Sequence, residues 1–153
     1  MRLAIVGAGA VGRSVAELAG GYGHTVTALA DSSSAAADAD GIDVAGALER
    51  KREDGQVGTA DPEDALDGEY DVLVEATPTT LGDAQPGFGH VRTALERDRH
   101  VVLANKGPVA ERYDEVHELA AESAGAVRFE AAVGGAIPVL STVEDFGPDN
   151  IVA

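Results

Sequence analysis

Four stretches of the chain hold residues whose types and spacing could do chemistry. The first is Gly7-Ala8-Gly9-Ala10-Val11-Gly12, a G-x-G-x-x-G pattern that directly follows a short apolar run. Each glycine has a physical task in holding a dinucleotide. Gly7 makes a tight turn, Gly9 lets the backbone approach a pyrophosphate, and Gly12 lets a helix pack against a strand, with Ala10 and Val11 completing the phosphate-holding stretch. The pyrophosphate would then meet the positive end of the helix.

The second stretch decides which dinucleotide. Asp31 lies nineteen positions after Gly12, at the end of the next β-rich run. A carboxylate there would bind the adenosine ribose hydroxyls and favour NAD, or else it is only a turn residue ahead of Ser32-Ser33-Ser34. Lys51 and Arg52 form a basic pair further on that could receive a 2′-phosphate. On these residues NAD and NADP both stay open.

Thr77, Lys106 and Glu130 form the third group, each placed just beyond the C-terminal end of an expected strand. Ligands of open parallel sheets bind outside those ends, so the three should converge on the nicotinamide side of a cofactor. Lys106, in Ala104-Asn105-Lys106-Gly107-Pro108, could hydrogen-bond a carbonyl or relay a proton to a forming alkoxide; the plainer reading is a solvated surface lysine. The fourth stretch, Glu130-Ala131-Ala132-Val133-Gly134-Gly135-Ala136-Ile137, sets one carboxylate before a glycine turn. Carboxylate plus carbonyl oxygens suits a hard cation, but the spacing alone favours an ordinary strand-end turn. His24, His90, His100 and His117 lack metal-ligand spacing and are read as structural. With no cysteine, disulfides and thiolate metal sites are excluded.

Positioning these groups requires alternating strands and helices. Strands are expected at 2–6, 25–30, 71–75, 100–104 and 127–130, and helices at about 11–19, 44–52, 91–97 and 110–124. A Gly/Pro-rich loop fills 77–89, and 35–67 carries only a weak pattern. The alternation predicts an α/β fold, a Rossmann-type doubly wound and mostly parallel sheet, with right-handed crossovers. Residues 1–153 should form one NAD(P)-binding domain, since 153 residues are enough for a single core. From about 138 the chain would begin a connection to a second, absent domain.

Composition removes several function classes. Acidic residues number 27 against 11 basic ones, a net charge of -16, and Lys51 and Lys106 are the only lysines. Nucleic acid is excluded as a partner, because no basic face can replace the counterions of a phosphate backbone. The acid-rich, lysine-poor surface suits a halophilic protein, hydrated and screened in concentrated salt. No apolar run is long enough to span a membrane and no leader pattern opens the chain, so a cytoplasmic location is expected.

Taken in order, Ala4-Ile5-Val6-Gly7-x-Gly9-x-Val11-Gly12, Val74-Glu75-Ala76-Thr77-Pro78, Ala104-Asn105-Lys106-Gly107-Pro108 and 130–138 resemble homoserine dehydrogenase along essentially the whole chain. The resemblance implies NAD(P)-dependent interconversion of aspartate 4-semialdehyde and homoserine, in biosynthesis of threonine, methionine and isoleucine. It implies that Gly7 to Gly12 hold the pyrophosphate, Thr77 and Pro78 the nicotinamide half, and Asn105 and Lys106 the nicotinamide and substrate region. It also implies that Lys51 meets the 2′-phosphate of NADP, and that Glu130 with the carbonyls of Val133, Gly135 and Ile137 holds a sodium ion. The family's substrate domain, with its own catalytic aspartate and lysine, would follow in a homodimeric enzyme, so the 153 residues alone should bind cofactor and turn over little. Two other classes share the opening motif: a stand-alone nucleotide-sensing module, and another dehydrogenase of a small aldehyde or hydroxy acid. Neither sensor chemistry nor its fold needs a strand-end lysine.

Overall fold

The first strand, β1 (Arg2–Val6), buries its last four residues, because Leu3 and Ile5 point to one face of the sheet and Ala4 and Val6 to the other. A strand apolar on both faces belongs in the middle of a parallel sheet covered by helices. The computed structural model, which describes residues 1–135, 137 and 139–146, places it there. The further strands are β2 (Thr25–Ala30), β3 (Ala35–Ala37), β4 (Val72–Glu75), β5 (His100–Leu103) and β6 (Val127–Arg128). Their order in the sheet is β3-β2-β1-β4-β5-β6. All neighbours pair parallel except β3, which runs antiparallel to β2. This confirms the Rossmann-type, mostly parallel sheet, with the strand order reversing between β1 and β4.

Helices cover both faces. They are α1 (Ala10–Ala19), α2 (Val44–Asp54), α3 (Asp64–Asp67), α4 (Gly87–Glu96), α5 (Gly107–Glu122), α6 (Glu130–Val133) and α7 (Val139–Phe146). One core joins Leu3, Ile5, Val26, Leu29, Val72 and Val74 to Ala16 and Ala19 of α1 and Ala47 of α2. The other joins Ala4, Val6, Leu73, Val101 and Leu103 to Phe88, Val91 and Leu95 of α4 and Val116 of α5. Alternation along β4 therefore turns Val72 and Val74 toward α1, and Leu73 and Glu75 toward α4 and α5. No helix among the described residues is long and apolar enough to cross a membrane.

Several expected boundaries move, for identifiable reasons. The edge strand β3 was not anticipated. Asp31 accepts hydrogen bonds from the Ser33 and Ser34 amides at 2.7 and 2.9 Å, an Asx turn that reverses the chain onto β2. Helix α4 begins at Gly87 rather than near 91, because Phe88 is buried and pulls a glycine-rich loop into the helix. Helix α5 begins at Gly107 rather than 110. Asn105 Oδ1 accepts from the Gly107 amide at 2.9 Å, and Pro108 occupies the first turn, where no amide is needed. The last expected strand, 127–130, ends at Arg128, and Glu130 opens the helical turn α6 instead. Residue 138 and residues 147–153, most of the expected connection to a second domain, lie outside the described residues.

Candidate functional site

The glycine loop sits where β1 and β4 part, at the C-terminal edge of the sheet. Gly7 has a φ of +105°, a conformation L side chains rarely adopt, and a Cβ there would lie 2.4 Å from the Ala76 carbonyl carbon and 2.7 Å from the Thr77 nitrogen. Only a glycine lets the two loops touch. A Cβ on Gly12 would lie 1.9 Å from the Gly7 carbonyl oxygen and 3.2 Å from Ile5 Cγ2 of β1, so α1 approaches the turn as well as the strand that the sequence reading named. Gly9 is different: a Cβ on it would meet no protein atom within 4 Å. The fold itself would therefore leave room for a side chain at this position. The first turn of α1 has no side-chain cap and no acid, so its amides and positive dipole end face the same space as Gly9. This cradle fits a dinucleotide pyrophosphate.

Beyond the end of β2, Asp31 and Lys51 are partners. Lys51 Nζ lies 2.8 Å from Asp31 Oδ2 and 2.8 Å from the Gly55 carbonyl at the end of α2. Asp31 Oδ1 accepts from the Ser33 amide and hydroxyl. Burial by itself would raise the Asp31 carboxyl, but the bonds from Lys51 and Ser33 outweigh it and bring it from 3.8 to about 2. The turn reading of Asp31 is seen directly, since one oxygen organises the serine turn, while the other oxygen meets Lys51, a partner the sequence reading did not give it. The basic pair is split, since Arg52 turns away to Glu49 on the surface.

At the other side of the loop the strand ends bring Thr77, Asn105 and Lys106 together. Asn105, almost fully buried, donates from Nδ2 to Thr77 Oγ1 at 3.1 Å. The Lys106 amide reaches Thr79 Oγ1 at 3.3 Å, and a Cβ on Gly107 would lie 2.4 Å from the Thr80 carbonyl. The β4 and β5 loops are thus stitched to each other, with Pro78 exposed between them and the exposed Lys106 forming no ion pair among the described residues. Glu130 makes no hydrogen bond to this group among the described residues. Its Oε1 accepts from the Leu140 amide at 2.9 Å, and its carbonyl accepts from Gly134. Among the described residues no three His, Asp or Glu side chains gather to hold a metal, so a cation at 130–137 would depend on main-chain oxygens.

Two residues that sequence reasoning left without a role join the site. Glu75, its side chain wholly buried, accepts from the Thr77 amide at 3.2 Å and from the Thr77 hydroxyl. His90, read as structural, contacts the same Glu75 oxygen through Nδ1 at 3.5 Å. The available signal was a carboxylate ending the apolar strand Val72-Leu73-Val74, two residues before a threonine.

Residues 1–81 match the model of the family described as Glutamate/Leucine/Phenylalanine/Valine dehydrogenase. Homoserine dehydrogenase of Methanocaldococcus jannaschii is 35% identical over 163 aligned residues, covering 95% of this chain and 48% of that protein. Among solved structures, homoserine dehydrogenase of Thermoplasma acidophilum superposes with a TM-score of 0.83 at 27% identity, over 95% of this chain and 47% of that one. A hyperthermophilic archaeal homoserine dehydrogenase in complex with NADPH superposes with a TM-score of 0.71 at 25% identity, over 86% and 44%. The chain thus spans about half the length of the relatives it matches. The family model covers the half of the chain that holds the dinucleotide loop, whereas the likeness to homoserine dehydrogenases runs on through Lys106. The chain belongs to the Glutamate/Leucine/Phenylalanine/Valine dehydrogenase family by residues 1–81, and along nearly its whole length it is similar to about half of each homoserine dehydrogenase it matches.

Proposed function

We propose that this domain binds NAD(P)(H) for an enzyme that interconverts L-aspartate 4-semialdehyde and L-homoserine, in the route to threonine, methionine and isoleucine. The observation that carries the reading is the stitching of Asn105 to Thr77 and of the Lys106 amide to Thr79 beside an open glycine loop, at the point where the strand order reverses. Gly7 to Gly12 hold the pyrophosphate on the end of α1, and Thr77 with Pro78 lines the nicotinamide end. The bound cofactor supplies or accepts the hydride. The Lys106 ammonium hydrogen-bonds the carbonyl oxygen and gives it a proton as the alkoxide forms, so that hydride and proton together convert aldehyde to alcohol. Asp31 accepts from the ribose hydroxyls when NAD is bound. Lys51, already beside it, turns to the 2′-phosphate when NADP is bound.

The same reading extends to the surroundings. The enzyme works in a salt-rich cytoplasm as a homodimer, its substrate domain follows this one, and Glu130 with the carbonyls of Val133, Gly135 and Ile137 takes a sodium ion. The test is kinetic. In the enzyme that carries this domain, Lys106→Ala should lower kcat for homoserine oxidation by about 100-fold or more, with dinucleotide affinity changed less than about threefold. An unchanged kcat would remove Lys106 from the chemistry; no homoserine oxidation by the unsubstituted enzyme would remove the substrate assignment.

A further inference from the structure

The buried hydrogen-bond chain behind Thr77 has a direction, and that direction constrains what Thr77 can bind. It starts at Gly107, whose amide can only donate, and Asn105 Oδ1 receives it at 2.9 Å. The Asn105 amide is thereby oriented, so the group it presents to Thr77 Oγ1 at 3.1 Å is the Nδ2 donor. At the other end, Glu75 Oε1 receives the Thr77 main-chain amide at 3.2 Å and also the Thr77 hydroxyl. An oxygen that already accepts an N–H offers the hydroxyl an acceptor, and a proton placed on the other oxygen, Oε2, leaves this unchanged. Thr77 therefore spends its one hydrogen on Glu75 and one lone pair on Asn105. What remains is a single lone pair.

We infer that Glu75 is a positioning residue that makes Thr77 a hydrogen-bond acceptor only, so that the site selects a cofactor whose ring carries an N–H donor: the amino group of the nicotinamide carboxamide, not its carbonyl. The inference rests on the reading above that Thr77 lines the nicotinamide end. The surroundings enforce the arrangement. Glu75 is wholly buried, its Oε2 has no partner, and it faces α4 through the alternation of β4. A Cβ on Gly87 of α4 would lie 2.5 Å from Asn105 Nδ2 and 3.3 Å from Glu75 Oε2, so that glycine is what leaves room for carboxylate and amide side by side. His90 Nδ1, at 3.5 Å, closes the chain on the helix side. A carboxylate this buried would be a poor choice for stability alone. Orienting a hydroxyl is a use that an apolar residue cannot supply.

The test compares three ligands on the chain by calorimetric titration: NAD, its 3-acetylpyridine analogue, which keeps a ring carbonyl but has no N–H, and ADP-ribose, which has no ring. NAD should bind about 5- to 10-fold more tightly than the analogue, the worth of one net hydrogen bond. Glu75→Gln, whose side-chain oxygen still accepts from the Thr77 amide and hydroxyl, should keep that ratio. Glu75→Leu frees the hydroxyl to donate, and the ratio should fall to about 1 with ADP-ribose affinity unchanged. Thr77→Val, which leaves Glu75 on the Thr77 amide, should collapse the ratio in the same way and serves if Glu75→Leu fails to fold. Equal binding of NAD and the analogue by the unsubstituted chain, with ADP-ribose bound, would overturn the inference and leave the dinucleotide reading standing. A ratio that survives Glu75→Leu would overturn the role of Glu75. Failure to bind ADP-ribose or NAD at all would overturn the underlying reading, and this inference with it.

Discussion

Replacing Asp31 with asparagine should change the acid stability of the fold by an amount the structure allows one to work out. The Asp31 side chain is 9% exposed, and its carboxyl is held at about 2 against an ordinary 3.8. A folded-state value below the unfolded one means that the group stabilises the fold above about pH 4 and that this stability is lost as pH falls toward 2. At 1.36 kcal/mol per pH unit the full contribution is on the order of 2 kcal/mol, of which about 1 kcal/mol is already gone at pH 3. Asp31→Asn keeps the acceptor for the Ser33 and Ser34 amides but sets an amide against Lys51, and it cannot titrate. The variant should therefore be less stable than the parent chain by about 1–3 kcal/mol at pH 7, and the gap should narrow by about 1 kcal/mol by pH 3. Urea unfolding followed by far-UV circular dichroism, both proteins side by side at one salt concentration, reads the gap directly. The other carboxylates titrate in both proteins and cancel. A gap that is the same at pH 3 and pH 7 would refute the argument that the Lys51 and Ser33 bonds lower the carboxyl.

Gly9 and Gly12 should part company under the same substitution. Gly12→Ala puts a methyl group 1.9 Å from the Gly7 carbonyl and should cost about 1–3 kcal/mol in unfolding free energy, whereas Gly9→Ala, with open space around it, should stay within about 0.5 kcal/mol of the parent and yet lose about tenfold or more in NAD(P) affinity by titration. The charge of -16 predicts that thermal stability rises by several degrees between about 0.1 and 2 M potassium chloride as self-repulsion is screened; a flat or falling melting temperature would argue against a halophilic surface.

Much of the fold was legible in the residues because parallel strands covered by helices are largely apolar, and the Val-, Leu- and Ala-rich runs of β1, β2, β4 and β5 show this even though β5 leaves His100 and Val102 exposed. The glycine loop was legible because its constraints are local: Gly7 needs an unusual φ and Gly12 a missing side chain, whatever the rest of the chain does. Ends of elements were less so. Asn105 starts α5 early through a side-chain bond, and Phe88 draws α4 into a stretch whose glycines read as loop, both of which depend on what packs nearby.

The amino-acid sequence by itself therefore determined that a glycine turn stands at Gly7 to Gly12 between a strand and a helix, and that Asp31, Thr77 and Lys106 lie just beyond the ends of other strands, since strand-end position follows from pattern. Only the tertiary structure decided who partners whom. Lys51 is twenty residues from Asp31 and Asn105 twenty-eight from Thr77, and no spacing rule couples residues so far apart along the chain. Likewise, only packing could turn Glu75 from the end of an apolar strand into the buried acceptor that orients Thr77, because a hydrogen bond's direction is set by all the donors and acceptors that meet in space.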